Sequence, residues 1–411
     1  MTSERCEDAW RRETPLVLAA LLRRSGDFET CEDSVQEALL AAAGQWPTQG
    51  MPDNPRAWLI RVASRKLIDH QRSHAARTRR ELVDSTHAPV DTRYVGSATP
   101  TALPPQGDDT LQMLILCAHP ALSDASRVAI TLRAVAGLST AQIAAGFLVP
   151  EATLAQRISR AKATLRSAGA RFEAPTSADL PDRLHAVRHV LYLTFNEGYT
   201  SSGGKSLIDA DLATEAIRVT ERLHRSIPDD TETSGLLALM LLTHARAPAR
   251  TDERGDLVPL AEQERTLWDR DLIARGTALI EQALSAGPAG PFQLQAAIAA
   301  IHDEAATAEA TDWLQITMLY RMLDRLAPSS TVTLNLAVAV GMAHGPTAGL
   351  DVLAPLLGQA DQQHNHRVHA AHAHLLELTG STAAAKGAYL LAARLTGSIP
   401  EQRYLNRQAG C

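Results

Sequence analysis

Apolar residues recur every three or four positions along most of this chain, and the recurrence stops at two stretches rich in proline, threonine and other loop-forming residues, 85–109 and 172–183. A spacing of three to four residues is the period of an amphipathic helix. Stretches of the second kind are typical of linkers and loops between helices. The pattern predicts three helical segments, residues 1–84, 110–172 and 178–411, with a flexible linker over 85–109.

Composition favours an all-α fold. Aromatic residues make up 4% of the chain although 45% of it is hydrophobic, and alanine and leucine fill most apolar positions, which favours helices over sheets. The amino-terminal sequence lacks a secretory pattern, and no apolar run reaches the ~18 residues of a membrane span. The four cysteines are far apart and form no C-x-x-C pair. We expect a cytoplasmic protein with no metal, no cofactor and no membrane partner.

Charge is distributed unevenly along the chain. Residues 1–171 contain 21 Lys and Arg against 18 Asp and Glu, a net charge of +3, whereas residues 172–411 contain 19 against 28, a net charge of -9. The front of the chain is therefore basic and the back acidic. This asymmetry predicts that the tail contacts the front of the chain.

Two helices are predicted in the first segment. One follows the glycine–aspartate turn at residues 26–27 and ends near Gly44, and the next begins at about Pro55, where proline is tolerated in the first turn. At 100° per residue, one side of the second helix is apolar and forms a buried stripe, which consists of Leu59, Ile60, Ala63 and Leu67.

The opposite side of this second helix is basic, with Arg61, Arg65 and Arg72 on it. From Arg56 to Arg80 there are eight basic residues against one acid, Asp69. A charged face is often only a solvated surface, but so one-sided a face also fits contact with nucleic-acid phosphates. This helix alone leaves both interpretations open.

The second segment has the spacing of a helix-turn-helix. A helix ends at residues 136–137, Ser139 or Thr140 caps a short second helix, and a turn through residues 148–150 leads into a third helix from Glu151. In this third helix, we predict that four residues face inward, Leu154, Ile158, Ala161 and Leu165. The predicted outward set is Thr153, Gln156, Arg157, Arg160 and Thr164, with Lys162 and Arg166 flanking it.

The outward set contains hydroxyl, amide and guanidinium groups, which can reach base edges and phosphates when a helix lies in the major groove. The alternative is a three-helix bundle with a solvated polar face. Residues 151–171 hold five basic residues against one acid, Glu151. This imbalance favours DNA binding.

Together, the two segments resemble an RNA polymerase sigma factor of the sigma-70 family, extracytoplasmic-function (ECF) group. The stretch "GDFETCEDSVQEALLAAAGQW" is similar to the part of sigma region 2 that binds the clamp helices of the polymerase largest subunit. "NPRAWLIRVASRKLIDHQR" resembles the helix that melts and reads the minus-10 element, and "LSTAQIAAGFLVPEATLAQRISRAKATLR" resembles the minus-35 reader of region 4. The resemblance covers the first 171 residues.

The resemblance implies three sets of binding residues and no catalytic residue. The set for core polymerase is Asp33, Gln36 and Glu37. The set for the minus-10 element is Arg61, Arg65, Lys66, Asp69 and Arg72. The set for the minus-35 element is Thr153, Gln156, Arg157 and Arg160. Many relatives carry Asn or Asp where this chain has Ser64-Arg65, so its base preference is not carried over.

The tail, with "LPDRLHAVRHVLYLTFNEGY" and "GPFQLQAAIAAIH", resembles the long TPR-like extension of one ECF subgroup, which is thought to modulate the sigma factor in place of an anti-sigma protein. Helix starts near Trp313, Thr347 and Thr382 are spaced by 34 and 35 residues, close to the ~34-residue TPR period. The first half of the tail shows the period less clearly. The resemblance implies that the tail regulates the rest of the chain.

The stretch "NEGYTSSGGKS" ends like a phosphate-binding loop, but its register is one residue off G-x-x-x-x-G-K-[S/T], and no downstream strand ending in Asp follows. We interpret it as a glycine-rich turn between helices, with a left-handed turn at Gly198. Its first part is expected to form a contact between the tail and the front domains, made by Asn196, Glu197, Gly198 and Tyr199.

A cluster of five histidines, "HNHRVHAAHAH" over residues 364–374, contains i, i+3 pairs that could share a metal ion. It lacks the common i, i+4 ligand pair. We favour mixed packing and solvent exposure for these side chains. No nucleophile motif appears.

A transcription initiation factor is therefore the main hypothesis, with core RNA polymerase, promoter DNA and its own tail as partners. The second hypothesis is a DNA-binding regulator whose tail binds a ligand or a protein and which does not engage the polymerase. A nucleotide hydrolase acting through residues 198–206 ranks third.

Overall fold

The computed structural model describes residues 3–84, 110–147, 149–170, 180–199 and 210–410. Within these ranges the elements are helices, apart from one isolated bridge between Thr251 and Leu257. The all-α prediction is confirmed. The predicted linker, 85–109, and the glycine-rich residues 200–206 lie outside the described ranges.

The described residues separate into two compact units. The first contains residues up to 145 and residues 149–190, and the second contains residues from 191 onward together with 146 and 147. The boundary falls within a helix, Leu180–Tyr199. The division into three segments with breaks at 85–109 and 172–183 stays a prediction.

In the described part of the first unit, eight helices begin. They are α1 (Ser3–Ser25), α2 (Phe28–Gln49), α3 (Pro55–Asp84), α4 (Thr110–Cys117), α5 (Asp124–Thr131), α6 (Thr140–Gly146), α7 (Glu151–Ser167) and α8 (Leu180–Tyr199). A π-helical turn, Leu132–Ala136, extends α5.

Helix α2 starts where the sequence predicts and ends later. Gly26 has a φ of 71°, and the side chain of Asp27 caps the helix by accepting a hydrogen bond from the Glu29 N–H at 3.2 Å. The predicted end near Gly44 is wrong, because α2 continues to Gln49. The extra turn buries Trp46 between two other tryptophan rings, with ring centroids 6.0 and 5.6 Å away, and this burial stabilises it.

The predicted faces of α3 and α7 are confirmed. Leu59, Ala63 and Leu67 of α3 are buried, and Ile60 is partly buried. In α7, all four of the residues predicted to face inward are buried, namely Leu154, Ile158, Ala161 and Leu165.

The helix-turn-helix boundaries are also those that the sequence predicts. Gly137, with a φ of 73°, ends the π-helical turn. Ser139 and Gln142 then form a reciprocal cap at the start of α6: the Ser139 N–H donates to the Gln142 side chain at 2.8 Å, and the Gln142 N–H donates to Ser139 Oγ at 3.1 Å. This cap fixes where α6 begins.

The second unit is built from helices that pack on their neighbours in sequence. They are α9 (Ala210–Ser226), α10 (Thr231–Ala245), α11 (Arg270–Ser285), α12 (Pro291–Glu304), α13 (Trp313–Leu326), α14 (Ser330–His344), α15 (Pro346–Leu357), α16 (His366–Leu378), α17 (Thr382–Leu395) and α18 (Ile399–Gln408). An irregular stretch with short 3₁₀ turns, residues 246–269, joins α10 to α11.

The predicted repeat boundaries in the second half of the tail are confirmed. Helices α13, α15 and α17 begin at residues 313, 346 and 382. Helices α14 and α15 cross closely, since a Cβ on Gly349 would lie 2.6 Å from the carbonyl oxygen of Ala337 and 2.8 Å from the Cα of Gly341. Small residues at this crossing let the two backbones meet.

Gly198 is part of α8, so the left-handed turn predicted there is wrong. A Cβ at this position would lie 2.4 Å from the backbone nitrogen of Ala213 in α9. The absence of a side chain, rather than a positive φ, is what this position requires, because α8 and α9 touch here through their backbones.

A buried group of polar and aromatic side chains joins the irregular stretch to α12. The Nε of Arg246 lies 2.6 Å from Asp303 Oδ1, and the guanidinium groups of Arg246 and Arg265 lie 5.6 and 4.5 Å from the ring centroid of Trp268. His302 lies beside this group, and its ring centroid is 5.2 Å from that of Trp313. Burial, together with the positive charges of Arg246 and Arg265, lowers the pKa of His302 to about 3.

This low pKa predicts acid sensitivity of the second unit. The unfolded chain protonates His302 near pH 6.5, and the folded chain protonates it only near pH 3. The contribution of neutral His302 to folding stability is therefore fully present above pH 6.5 and is lost as the pH falls from 6.5 toward 3. The test is the free energy of unfolding in urea, measured at pH 7 and at pH 5. Between these two pH values, His302→Phe should lose about 1–2 kcal/mol less of this free energy than the unmodified protein loses. Equal losses would contradict this role, because other histidines are unchanged in the comparison.

Candidate functional site

Helix α3 presents a basic face to solvent. Arg61, Arg65, Asp69 and Arg72, four of the five predicted minus-10 residues, are exposed on it. Ile68 lies on the same face and is 42% exposed. An exposed isoleucine among arginines is a feature that the charge pattern alone does not reveal, and it offers apolar contact beside the cationic groups.

Lys66, the fifth predicted minus-10 residue, faces helix α2. Its Nζ lies 2.9 Å from Glu37 Oε2, and the Nε2 of His70 lies 2.8 Å from Glu37 Oε1. The hydrogen bond from Lys66 is the main cause that lowers the pKa of Glu37; burial acts against it, and the hydrogen bond from His70 adds to the lowering. The structure therefore joins a predicted minus-10 residue, Lys66, to a predicted polymerase-binding residue, Glu37.

The outer side of α2 combines polar groups with one exposed leucine. At 100° per residue, Gln36, Glu37 and Leu40 all lie within about 60° of Asp33 around the helix. Asp33 is exposed, and Gln36 and Glu37 are partly exposed. Leu40 is 73% exposed, more than any other large hydrophobic residue that the structure describes. Sequence reasoning missed Leu40 because residues 38–43 are all apolar, so this run by itself does not indicate which of its residues faces solvent.

Helix α7 has two polar faces. The first holds the predicted minus-35 residues: Thr153, Gln156 and Arg160 are exposed, and Arg157 is partly buried. The second lies at 80–120° from Leu154, whereas the first lies at 200–300°. The second face contains Lys162 and Arg166.

This second face of α7 is paired with the acidic start of α2. Lys162 Nζ lies 2.7 Å from Asp33 Oδ1 and also contacts the carboxylate of Glu32. Arg166 Nη1 lies 2.5 Å from Glu29 Oε2. A predicted polymerase-binding residue, Asp33, is thus in contact with the helix that carries the minus-35 set.

Glu32 is the centre of this contact, and its side chain is only 3% exposed. The Nε of Arg133, in the π-helical turn, lies 3.0 Å from Glu32 Oε1. Burial acts to lower the pKa of Lys162, but the carboxylates of Glu32 and Asp33 outweigh it and raise that pKa. Lys162 therefore stays charged in this contact throughout the physiological pH range.

Three of the histidines in the 364–374 cluster have identifiable surroundings. His366 Nε2 lies 3.2 Å from Glu401 Oε2, and His369 Nε2 lies 2.8 Å from the carbonyl oxygen of Gln363. Burial, with the charge of His369, lowers the pKa of His372. Across the described ranges, no three His, Cys, Asp or Glu side chains are grouped as metal ligands would be.

Two other sequence expectations bear on this site. None of the described helices combines the length and the apolar character that a bilayer crossing needs.

Residues 196–199, for which the sequence predicts a contact between the tail and the front, lie at the end of α8. There the Tyr199 ring stacks on Phe195 at 5.7 Å between centroids, and the Arg250 guanidinium lies 4.0 Å from its centre. Their role as an interdomain contact stays a prediction.

Three family models match the chain. The model for sigma-70 region 2 matches residues 9–77, which include α2 and most of α3, and the model for sigma-70 region 4 matches residues 112–165, which include α5, α6 and most of α7. A family of unknown function, DUF6596, matches residues 183–284.

Curated relatives match both the front and nearly the whole of the chain. An uncharacterized protein of Rhizobium meliloti (strain 1021) is 40% identical over 400 residues, which cover 96% of this chain and 92% of the relative. The ECF RNA polymerase sigma factor SigL of Mycobacterium tuberculosis is 35% identical over 148 residues, 35% of this chain and 77% of the relative. The probable ECF RNA polymerase sigma factor SigI of the same species is 34% identical over 161 residues, 38% of this chain and 52% of the relative. No solved structure matches the chain.

Proposed function

This chain belongs to the ECF group of the sigma-70 family and is a transcription initiation factor, and from this premise we propose how its surfaces divide the work. The outer side of α2 binds the clamp helices of the polymerase largest subunit. The basic face of α3 binds the minus-10 element, and the first face of α7 reads the minus-35 element. The regulator without polymerase engagement is not favoured, since the relatives that match the front are polymerase sigma factors.

Leu40 supports the α2 assignment. An isolated exposed leucine beside Asp33 and Gln36 is stabilised when a partner covers it, by roughly 1.5–3 kcal/mol for complete burial. A central apolar side chain with a polar surround is the usual arrangement of a binding surface. In this proposal, the clamp helices supply an apolar groove for Leu40 and basic groups for the carboxylates of Asp33 and Glu37.

The α3 and α7 assignments rest on the exposed arginines. Arg61, Arg65 and Arg72 suit phosphates and unstacked bases of a melted strand, and binding of those bases offsets the few kcal/mol needed to unpair the duplex. Gln156 and Arg160 on α7 suit base edges and phosphates of a major groove. The protein itself makes and breaks no bond in this scheme, because the polymerase does the chemistry.

The acidic tail acts as a regulator of the front regions in this proposal, and the protein works in the cytoplasm, where the polymerase is. The charge difference between the two halves, +3 against -9, supports an interaction of this kind. Promoter-specific transcription by a variant that ends at residue 190 would test it, because the first compact unit includes the beginning of α8.

Replacing Leu40 by alanine tests the polymerase surface. We expect core polymerase to bind Leu40→Ala about tenfold more weakly, measured by titrating a fluorescently labelled protein with core enzyme, because an apolar contact of 1–2 kcal/mol is lost. The melting temperature should not change, since the side chain is exposed. Leu391→Ala, which truncates an exposed leucine of α17, is the matched control. Unchanged affinity of Leu40→Ala would refute the assignment of this surface.

A further inference from the structure

We propose that the free protein is held closed by helix α7, whose basic second face covers the acidic start of α2, and that binding of core polymerase requires this contact to open. The inference rests on the proposed role of α2 in polymerase binding and names how that same surface is regulated. We call the contact the α2–α7 clasp and define it by its five charged residues, which are Glu29, Glu32, Asp33, Lys162 and Arg166.

The clasp is a network, and its centre is shielded from solvent. Lys162 is the residue that joins it, since its Nζ contacts the carboxylates of both Glu32 and Asp33, and its side chain is only 11% exposed. Arg166 and Glu29 form a further pair at 2.5 Å on its more exposed side. Isolated pairs on a surface contribute little to stability, but a shielded network with several charge-assisted hydrogen bonds contributes more.

Arg133 makes the clasp depend on region 4 as a whole. This residue belongs to the π-helical turn before α6, and it binds Oε1 of Glu32, whereas Lys162 contacts Oε2 of the same carboxylate. Its Nη1 also donates to the carbonyl oxygen of Leu138 at 3.2 Å. Two elements of the helix-turn-helix therefore hold the same carboxylate of α2, so they must leave together when the clasp opens.

The clasp competes with the polymerase and not with DNA. Asp33 belongs to the surface that the clamp helices bind, and its carboxylate is occupied by Lys162. The minus-35 residues Thr153, Gln156 and Arg160 lie on the other polar face of α7 and stay exposed while the clasp is closed. The apparent affinity for polymerase is thus the affinity of the open form multiplied by the fraction of molecules that are open. The minus-35 face remains available in both forms.

Charge reversal at Lys162 is the central test. Lys162→Glu places a third carboxylate beside Glu32 and Asp33, which opens the clasp, and neither Gln36 nor Leu40 is altered. We expect the full-length variant to bind core polymerase about tenfold more tightly than the unmodified protein, in the absence of DNA. Lys386→Glu, the same charge change at an exposed position of α17, should leave the affinity unchanged.

The pair of Glu29 and Arg166 provides a second test in which the fold is less at risk, because both side chains are at least partly exposed. Arg166→Glu alone should tighten core binding by about threefold. Combining it with Glu29→Arg recreates an ion pair of reversed polarity, and the affinity should return to that of the unmodified protein. A double variant that binds as tightly as Arg166→Glu would contradict the clasp.

A zero-length carbodiimide cross-link reports the clasp directly. Lys162 Nζ and the Asp33 carboxylate are 2.7 Å apart, so the free full-length protein should form an amide between them, and mass spectrometry of peptides should detect it. Saturation with core polymerase should abolish it. A cross-link that persists in the complex would overturn the proposal, as would Lys162→Glu binding core no better than the unmodified protein. Failure of the unmodified protein to bind core would instead overturn the proposed function of α2.

Discussion

Promoter binding is expected to fall by about 100-fold when Arg157 and Arg160 are both replaced by alanine. The two guanidinium groups belong to the exposed polar face of α7, and each contact of an arginine with a base or a phosphate is typically worth ~1–3 kcal/mol. The measurement is a fluorescence-anisotropy titration of holoenzyme with a promoter duplex, whose sequence is first obtained by sequencing transcripts after overproduction of the protein. Run-off transcription from that duplex should fall in parallel.

The loss of promoter binding in the Arg157→Ala, Arg160→Ala double variant must come from the minus-35 face alone. Core polymerase should bind the double variant as tightly as the unmodified protein, because α2 is unchanged. The slope of log affinity against log salt concentration should become shallower by up to about two, since two phosphate-directed cations are gone. Arg321→Ala with Arg325→Ala, two exposed arginines of α13, removes equal charge from the tail and should change promoter binding little. If both double variants behave alike, α7 is not the reader.

The helices of the DNA-binding regions are predictable because their boundaries are set locally. Asp27 caps α2 through a backbone N–H two residues away, and Ser139 and Gln142 cap α6 within four residues. The buried stripes follow from helical period alone, as Leu154 and Ile158 show. The family resemblance then assigns a role to the side that faces solvent.

The clasp and the buried group of side chains around Arg246 and Asp303 could not be predicted in this way. Lys162 and Asp33 are 129 positions apart in sequence, and a helical period gives the direction of a side chain but not the partner that it meets. The sequence accordingly predicts only that Lys162 and Arg166 flank the DNA-reading set. Gly198 shows the same limit. A glycine beside a polar run predicts a turn, but in the structure the glycine is needed because the backbone of the neighbouring helix, at Ala213, lies against it.

The same limit applies to Arg246 and Asp303, which are buried together in the tail. Their side chains are 9% and 0% exposed, and Arg246 also donates from Nη2 to the carbonyl oxygen of Ala299 at 2.7 Å. Burial raises the pKa of Asp303, and the positive charge of Arg246 acts against that rise. A buried pair of this kind adds little net stability compared with apolar residues, but removing one partner leaves a charge without compensation.

Asp303→Ala is therefore expected to destabilise the second unit by about 3–5 kcal/mol, because the guanidinium of Arg246 stays buried without its carboxylate. This is a large part of the ~5–15 kcal/mol that stabilises a typical domain. Urea unfolding followed by circular dichroism measures the change. The double variant Arg246→Met with Asp303→Leu removes both charges and should recover most of the loss, which separates the buried charge from the lost packing. A loss below about 1 kcal/mol for Asp303→Ala would show that water or another group compensates Arg246.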